Sequence, residues 1–216
     1  LLLIARRKYP NPEEFEPEAE EKTHFHFRHE FFVYIVAISF FALGFIDFPI
    51  ITMHTAKLKL VQDDVLPLLY AGAMAVDAVA ALIFGWLYDR IGVKSLMLST
   101  AISALFPLFI FGWGGQSKAA LFIGIALWGV GMGAQESTLK AAVCTFVPKQ
   151  WRSSGFGVFE TAFGVFWFLG SWLTGVLYDQ ALTGMIIFSI LAQVVSIVFL
   201  GFCHHMHQKT IAHKKD

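Results

Sequence analysis

Six apolar stretches of membrane-spanning length, separated by short polar loops, constrain this chain more than any other feature. They are Phe31–His54, Val65–Tyr88, Ser95–Gly114, Ala119–Val147, Ser153–Tyr178 and Thr183–Cys203. A bilayer core ~30 Å thick is crossed by about 20 apolar residues in a helix, because only a helix or a closed barrel satisfies its own backbone in lipid. The expected fold is therefore all-α and integral to the membrane, with six transmembrane helices. Pro49, Pro67 and Pro107 fall inside these stretches. Membrane helices accept them where neighbouring helices satisfy the freed backbone groups. Short loops make successive helices antiparallel neighbours.

Composition agrees. The 216 residues are 56% hydrophobic and 15% charged, with 23 Phe and 6 Trp, whereas a soluble domain carries about 25% charged residues. Net charge is zero, which leaves no basic footprint for nucleic acid. The two cysteines, Cys144 and Cys203, form neither a disulfide framework nor a metal spacing and read as small packing residues. Two histidine clusters, His24–His29 and His204–His207, flank spans and read as interfacial side chains. No metal or cofactor is expected.

Loop cations set the orientation. Twelve of the 16 Lys and Arg residues fall on one side: Arg6 to Arg28, the loops holding Arg90 and Lys94 and holding Lys149 and Arg152, and the end of the chain. Lys57, Lys59 and Lys118 fall on the other, and Lys140 lies inside a span. The twelve-cation side is read as cytoplasmic, so both termini face the cytoplasm of a plasma-membrane, multi-pass protein. Residues 1–30 read as the end of a preceding helix plus a hydrophilic cytoplasmic linker, 31–203 as the six-helix domain and 204–216 as a cytoplasmic tail. The opening Leu1–Ala5 followed by Arg6-Arg7-Lys8, with no initiator Met, is read as the start of a fragment.

Ionisable groups inside a membrane are costly and mark functional interiors. This chain has five: Asp47, Asp77, Glu136, Lys140 and Glu160, on the first, second, fourth and fifth spans. Those four spans are expected to line a wet cavity, and the charge-free third and sixth to face lipid. Asp77 stands near mid-membrane on a stripe with Ala73, Ala81 and Gly85, four residues apart and on one helix face. Small residues at that spacing admit a close helix neighbour, so Asp77 reads either as a functional carboxylate or as an interhelical contact. Glu136 and Lys140 have the order and spacing of a helical ion pair, within the polar run Gln135-Glu136-Ser137-Thr138. Lys140 otherwise meets an anionic substrate. Glu160 leads a stripe through Gly164, Trp167, Ser171 and Gly175; it is read as a proton site, or as a partner of Arg152 or of a group outside this chain. Asp47 precedes Phe48-Pro49, where the helix is expected to break, and lines a ligand site or caps the broken segment.

The loop Gly85-Trp-Leu-Tyr-Asp89-Arg90-Ile-Gly92-Val-Lys94 joins the second and third spans. It resembles the signature loop of the major facilitator superfamily of transporters, roughly G-x-L-x-D-R-x-G-R-K. Val93 stands where the family usually has a cation. Pro148…Arg152…Gly155…Gly157 resembles the family's entry between the fourth and fifth helices of a half. Gly85-Trp-Leu-Tyr-Asp89 also recurs as Gly175-Val-Leu-Tyr-Asp179, three spans later, as an inverted three-plus-three repeat requires.

The resemblance implies that the chain is the C-terminal half of a twelve-helix transporter, with the N-terminal six-helix half of the same protein as its partner. It implies transport of a small molecule by alternating access between two six-helix halves. The leading expectation is a secondary active transporter driven by a proton gradient, with facilitated diffusion alone as the alternative, and Asp77, Glu136 and Glu160 are candidates for protonation or substrate contact. Gly85, Asp89, Arg90, Gly92 and Lys94 would then form a cytoplasmic gating loop, and Asp89 would find its counterpart in the other half. Asp47, Gln135, Lys140 and Trp167 complete the expected substrate and proton pathway. No ATP-binding loop is present, and no catalytic residue is assigned. The alternatives are a six-span channel or scaffold, a half-size transporter working as a homodimer, and an intramembrane enzyme, for which no H-E-x-x-H or G-x-S-x-G constellation exists.

Overall fold

The structure is a computed structural model and describes residues 27–114 and 117–212. The linker up to residue 26, with His24 and His26, lies outside the described residues. Among the described residues there is no strand, and six helical spans are long and apolar enough to cross a membrane. The first is broken into α1 (His29–Gly44) and α2 (Phe48–Lys57). The second is α3 (Leu66–Ile91). The third is α4 (Val93–Ser103) followed by a π-helical turn, Leu108–Trp113. The fourth to sixth are α5 (Lys118–Phe146), α6 (Arg152–Gln180) and α7 (Leu182–Ala212).

Each irregularity has a cause in the sequence. Pro49 sits in the first turn of α2, where its missing N–H costs nothing, and the helix before it has already ended. The carbonyls freed at the break find donors on other spans. Ser189 donates its hydroxyl to the Gly44 carbonyl, and the Trp128 indole N–H donates to that of Ile46 at 2.9 Å. Asp47 stands at the N-cap position but makes no side-chain cap bond, so the capping reading is corrected. Pro107 cannot donate to Ser103, and the third span resumes as the wider π turn instead of the single α-helix expected. α7 runs on to Ala212, past the expected end of its span at Cys203.

α5 is the centre of the bundle, and glycine puts it there. A Cβ on Gly129 would come 2.6 Å from the Ala73 carbonyl oxygen, and one on Gly133 would run into the Asp77 carbonyl and the Ala81 amide nitrogen. Ala73, Asp77 and Ala81 thus face Gly129 and Gly133, with Gly85 opposite Ser137. The α3 stripe read from the sequence is a helix–helix seam, the most extensive in the molecule. On a second side of α5, Gly131 lies against Ser103 and Gly124 against Ile110 of the third span. α1 packs against α7 and α6, where Gly170 meets the Leu43 backbone.

The third and sixth spans depart from the simple lipid-facing expectation. Each turns a polar face inward: Ser95, Ser99 and Ser103 on one, Ser189, Gln193 and Ser196 on the other, all buried. Ser103 donates to Gln193 Oε1 at 2.9 Å, tying the two spans together. Leu98, Ile187, Leu191 and Phe202 point outward. Lipid offers no hydrogen-bond partner, so the polar groups of a peripheral helix must look to the protein. The least covered spans are instead α3 and α6.

Candidate functional site

Two clefts open on the first, second, fourth and fifth spans. α5 and α6 touch at few points, and a cleft of ≈ 620 Å³ separates them, lined by Gln135, Glu136, Lys140, Glu160, Phe163 and Trp167 among others. A second, of ≈ 830 Å³, is bordered by Asp47 and Phe48 at the break in the first span, Tyr70 on α3, Trp128 on α5 and Trp167 on α6. Met132 and Trp167 border both. No residue of the third or sixth span lines either one. The sequence-derived set Asp47, Gln135, Glu136, Lys140, Glu160 and Trp167 is therefore brought together around one wall.

The charges within it pair differently from the sequence reading. Lys140 Nζ lies 3.3 Å from Glu160 Oε1 across the cleft, with both side chains more than half exposed. The expected Glu136–Lys140 pair does not form. The same-helix spacing permits that pair, but α6 brings a carboxylate within reach of the same ammonium. Glu160 is not paired with Arg152, which donates instead to the Cys144 carbonyl at 3.3 Å. Glu136 is exposed and makes no ion pair among the described residues. Asp47 is half-buried and accepts a hydrogen bond from the Ser171 hydroxyl, with Trp167 also against its carboxylate. Gln135 is 5% exposed. Its amide reaches the Met132 sulfur at 2.7 Å, while its Oε1 is buried with no hydrogen-bond donor.

Asp77 stands behind this wall, within electrostatic reach of Glu136. It lines neither cleft, and its backbone sits in the glycine seam with α5. One carboxylate oxygen is buried there without a hydrogen-bond partner among the described residues.

The Asp89–Arg90 loop closes α3. Gly92 has φ +57° and ψ −135°, a conformation an L side chain adopts only under strain, so the motif's glycine is a backbone requirement. Its N–H returns to the Tyr88 carbonyl at 2.8 Å, ending the helix. The Arg90 guanidinium lies 3.9 Å over the Trp86 ring. Asp89 and Lys94 are exposed, and among the described residues Asp89 makes no ion pair. The echo has a structural counterpart. Tyr88 meets Thr145 at 3.0 Å at one end of the bundle, and Tyr178 meets His54 Nδ1 at 3.1 Å at the other. Of the second entry motif, Gly155 packs tightly on Val147, whereas Gly157 faces open space.

The chain matches the family model for the Major Facilitator Superfamily over residues 31–215. The chain belongs to this superfamily. Members are transporters, and six apolar helices make this one a multi-pass membrane protein. It is also 31% identical, over 208 residues, to the uncharacterized proteins Rv2265 of Mycobacterium tuberculosis (strain H37Rv) and Mb2288 of Mycobacterium bovis. The alignments cover 93% of this chain and 50% of each relative, so the chain spans about half the length of the curated relatives it matches. The superfamily's signature loop and the acidic residues of the spans were visible in the sequence. Trp128, Tyr70 and Met132 were missed. Trp128, Met132 and Gln135 share one helical face at four- and three-residue spacing, a signal available to a search for aromatic residues around intramembrane charges.

Among the described residues no three His, Cys, Asp or Glu side chains come together as a metal site. His207 lies 3.5 Å from Glu30, joining the end of α7 to the start of α1.

Proposed function

We propose that the chain is the C-terminal half of a secondary active transporter that moves a small solute by alternating access, and that the α5–α6 cleft belongs to its pathway. The observation that carries this reading is the convergence of Gln135, Glu136, Lys140, Glu160 and Trp167 on one cleft, continued at Trp167 to Asp47 beside a broken helix. Transporters hold their cargo where broken membrane helices place half-helix ends near mid-membrane, and here α2 begins at such a break, beside Asp47. The Lys140–Glu160 pair bridges α5 and α6, so its making and breaking would accompany any change in their separation.

The N-terminal six-helix half is the partner this reading requires. It is supported by relatives of twice the length, and by α3 and α6, which carry Asp77 and Glu160 yet leave Leu82, Trp86, Phe168 and Trp172 more than half exposed. The loop cations support a cytoplasmic location for Asp89, Arg90 and both ends of this segment in the plasma membrane. There the uncompensated Asp89 would meet a helix N-terminus of the other half.

Proton coupling through Asp77, Glu136 or Glu160 is part of the proposal. The full-length gene product in vesicles should show solute flux driven by an imposed pH gradient. Asp77→Asn, Glu136→Gln and Glu160→Gln should each be compared; unchanged flux in all three removes the proton-site assignment. Labelling of single cysteines placed at Lys94 and Lys118 should occur from opposite sides, and the same side for both breaks the topology.

A further inference from the structure

In the sequence the intramembrane charges are of mixed sign and favour no class of cargo. The structure sorts them. Lys140, the one cation lining the two clefts, is already held by Glu160 at 3.3 Å. Glu136 makes no ion pair among the described residues, and Asp47 is met by neutral donors, Ser171 and Trp167. Two carboxylates are thus left without a cation. Gln135 adds an independent sign of the same kind. It is 5% exposed and lines the first cleft, and its Oε1 is a buried acceptor with no donor. A buried acceptor left unpaired is costly, and this one stands behind the cleft wall beside Glu136, where it adds a negative dipole to that wall. Among the described residues lining the two clefts, the one cation an anion would meet is Lys140, and it already has Glu160 beside it.

The rest of the wall is aromatic. Phe163 and Trp167 line the first cleft, and Phe48, Tyr70, Trp128 and Trp167 the second. Their ring faces attract cations and stack on flat apolar bodies. Trp167 stands between the two clefts, with Glu136 toward one side and Asp47 toward the other. Cleft volumes of ≈ 620 and ≈ 830 Å³ suit a drug-sized organic molecule, larger than a metal ion or a simple amine.

Resting on the transport reading above, we propose that the cargo is an organic cation: an aromatic or otherwise apolar body that stacks on Trp167 and carries its positive charge to the two carboxylates that lack a cation. Asp47 and Glu136 supply the charge selection, the buried Gln135 carbonyl adds to the negative wall behind them, and Glu160 keeps Lys140 from repelling the ligand.

The test uses two probes of one shape and opposite charge on the purified full-length gene product. Tetraphenylphosphonium should bind saturably and tetraphenylborate should not. Asp47→Asn with Glu136→Gln, both isosteric, should weaken tetraphenylphosphonium binding by about tenfold or more, and Trp167→Ala by about tenfold. Glu160→Gln frees Lys140 and should weaken the cation and admit the borate. This exchange of preference cannot come from misfolding, and size-exclusion profiles check the other variants. Preference for tetraphenylborate in the unmodified protein, binding of neither probe, or binding indifferent to Asp47 and Glu136 overturns the proposal. Ethidium flux in vesicles separates the two layers. Cation binding without flux overturns transport and leaves the binding site. Flux of anionic or neutral solutes, with no tetraphenylphosphonium binding, overturns the cargo class and leaves transport.

Discussion

α5 meets α3 and α6 in opposite ways. Toward α3 it offers Gly129 and Gly133, and the two backbones come as close as backbones can. Toward α6 it offers Gln135, Glu136 and Lys140, and the helices stand apart around a cleft. The difference lies in the size and charge of the side chains that α5 presents to each. In lipid no hydrophobic effect pulls helices together, so close van der Waals packing must do so, and small residues permit it. The side of α5 without glycine is held by one partly exposed ion pair, and such pairs contribute little. One helix thus carries a fixed seam and a loose one.

The contrast breaks most visibly at Gly133. Gly133→Leu drives a side chain into the Asp77 carbonyl, which has no flexible end to yield. It should cost ~3 kcal/mol or more and abolish a monodisperse size-exclusion peak. If the variant is as stable as the parent, the α3–α5 seam is wrong. Trp128→Phe keeps the ring but leaves the Ile46 carbonyl without its donor. It should cost ~1 kcal/mol, read as a lowered melting temperature in detergent. Gly92→Ala should cost about 1 kcal/mol through its positive φ alone, since no atom lies near the added methyl. On the loose side, Lys140→Ala should change stability by less than about 1 kcal/mol while altering flux; a large loss of stability would make the pair structural. The smallest effect is expected at Gly157, whose Cβ meets nothing. Within a helix, Gly157→Ala should raise stability by about 0.5–1 kcal/mol.

The sequence disclosed the parts of this arrangement that depend on one helix at a time. Spans, breaks at proline, the α3 stripe and the Gly92 turn are local, and each is set by backbone geometry or by a repeat along one face. The glycines of α5 were visible, but their partners were not, because nothing in a single sequence says that residue 133 meets residue 77. The same gap explains the pairing of Lys140. The i,i+4 rule ranks partners within a helix and is silent about a carboxylate brought in by the next one. Asp47 shows the limit from the other side. Its position before Phe48-Pro49 has the pattern of a cap, yet Ser171, 124 residues away, provides the hydrogen bond. Inward-turned serines on the third and sixth spans were readable in principle, since a polar face on a charge-free span must look away from lipid.

The interruption between α1 and α2 divides the first span into two arms. The carbonyls of Gly44 and Ile46 are fastened to α7 and α5, so the fulcrum is fixed while the arm beyond it keeps its own helical bonds. α2 has 10 residues, a length of about 15 Å at ~1.5 Å per residue. A swing of about 15° at the fulcrum would carry its far end through about 4 Å at that length. That end holds Lys57, whose ammonium lies over the Tyr178 ring, and His54, bonded to the Tyr178 hydroxyl. A ligand that turned α2 about the pivot beside Asp47 would therefore displace the Tyr178 end more than the pivot itself.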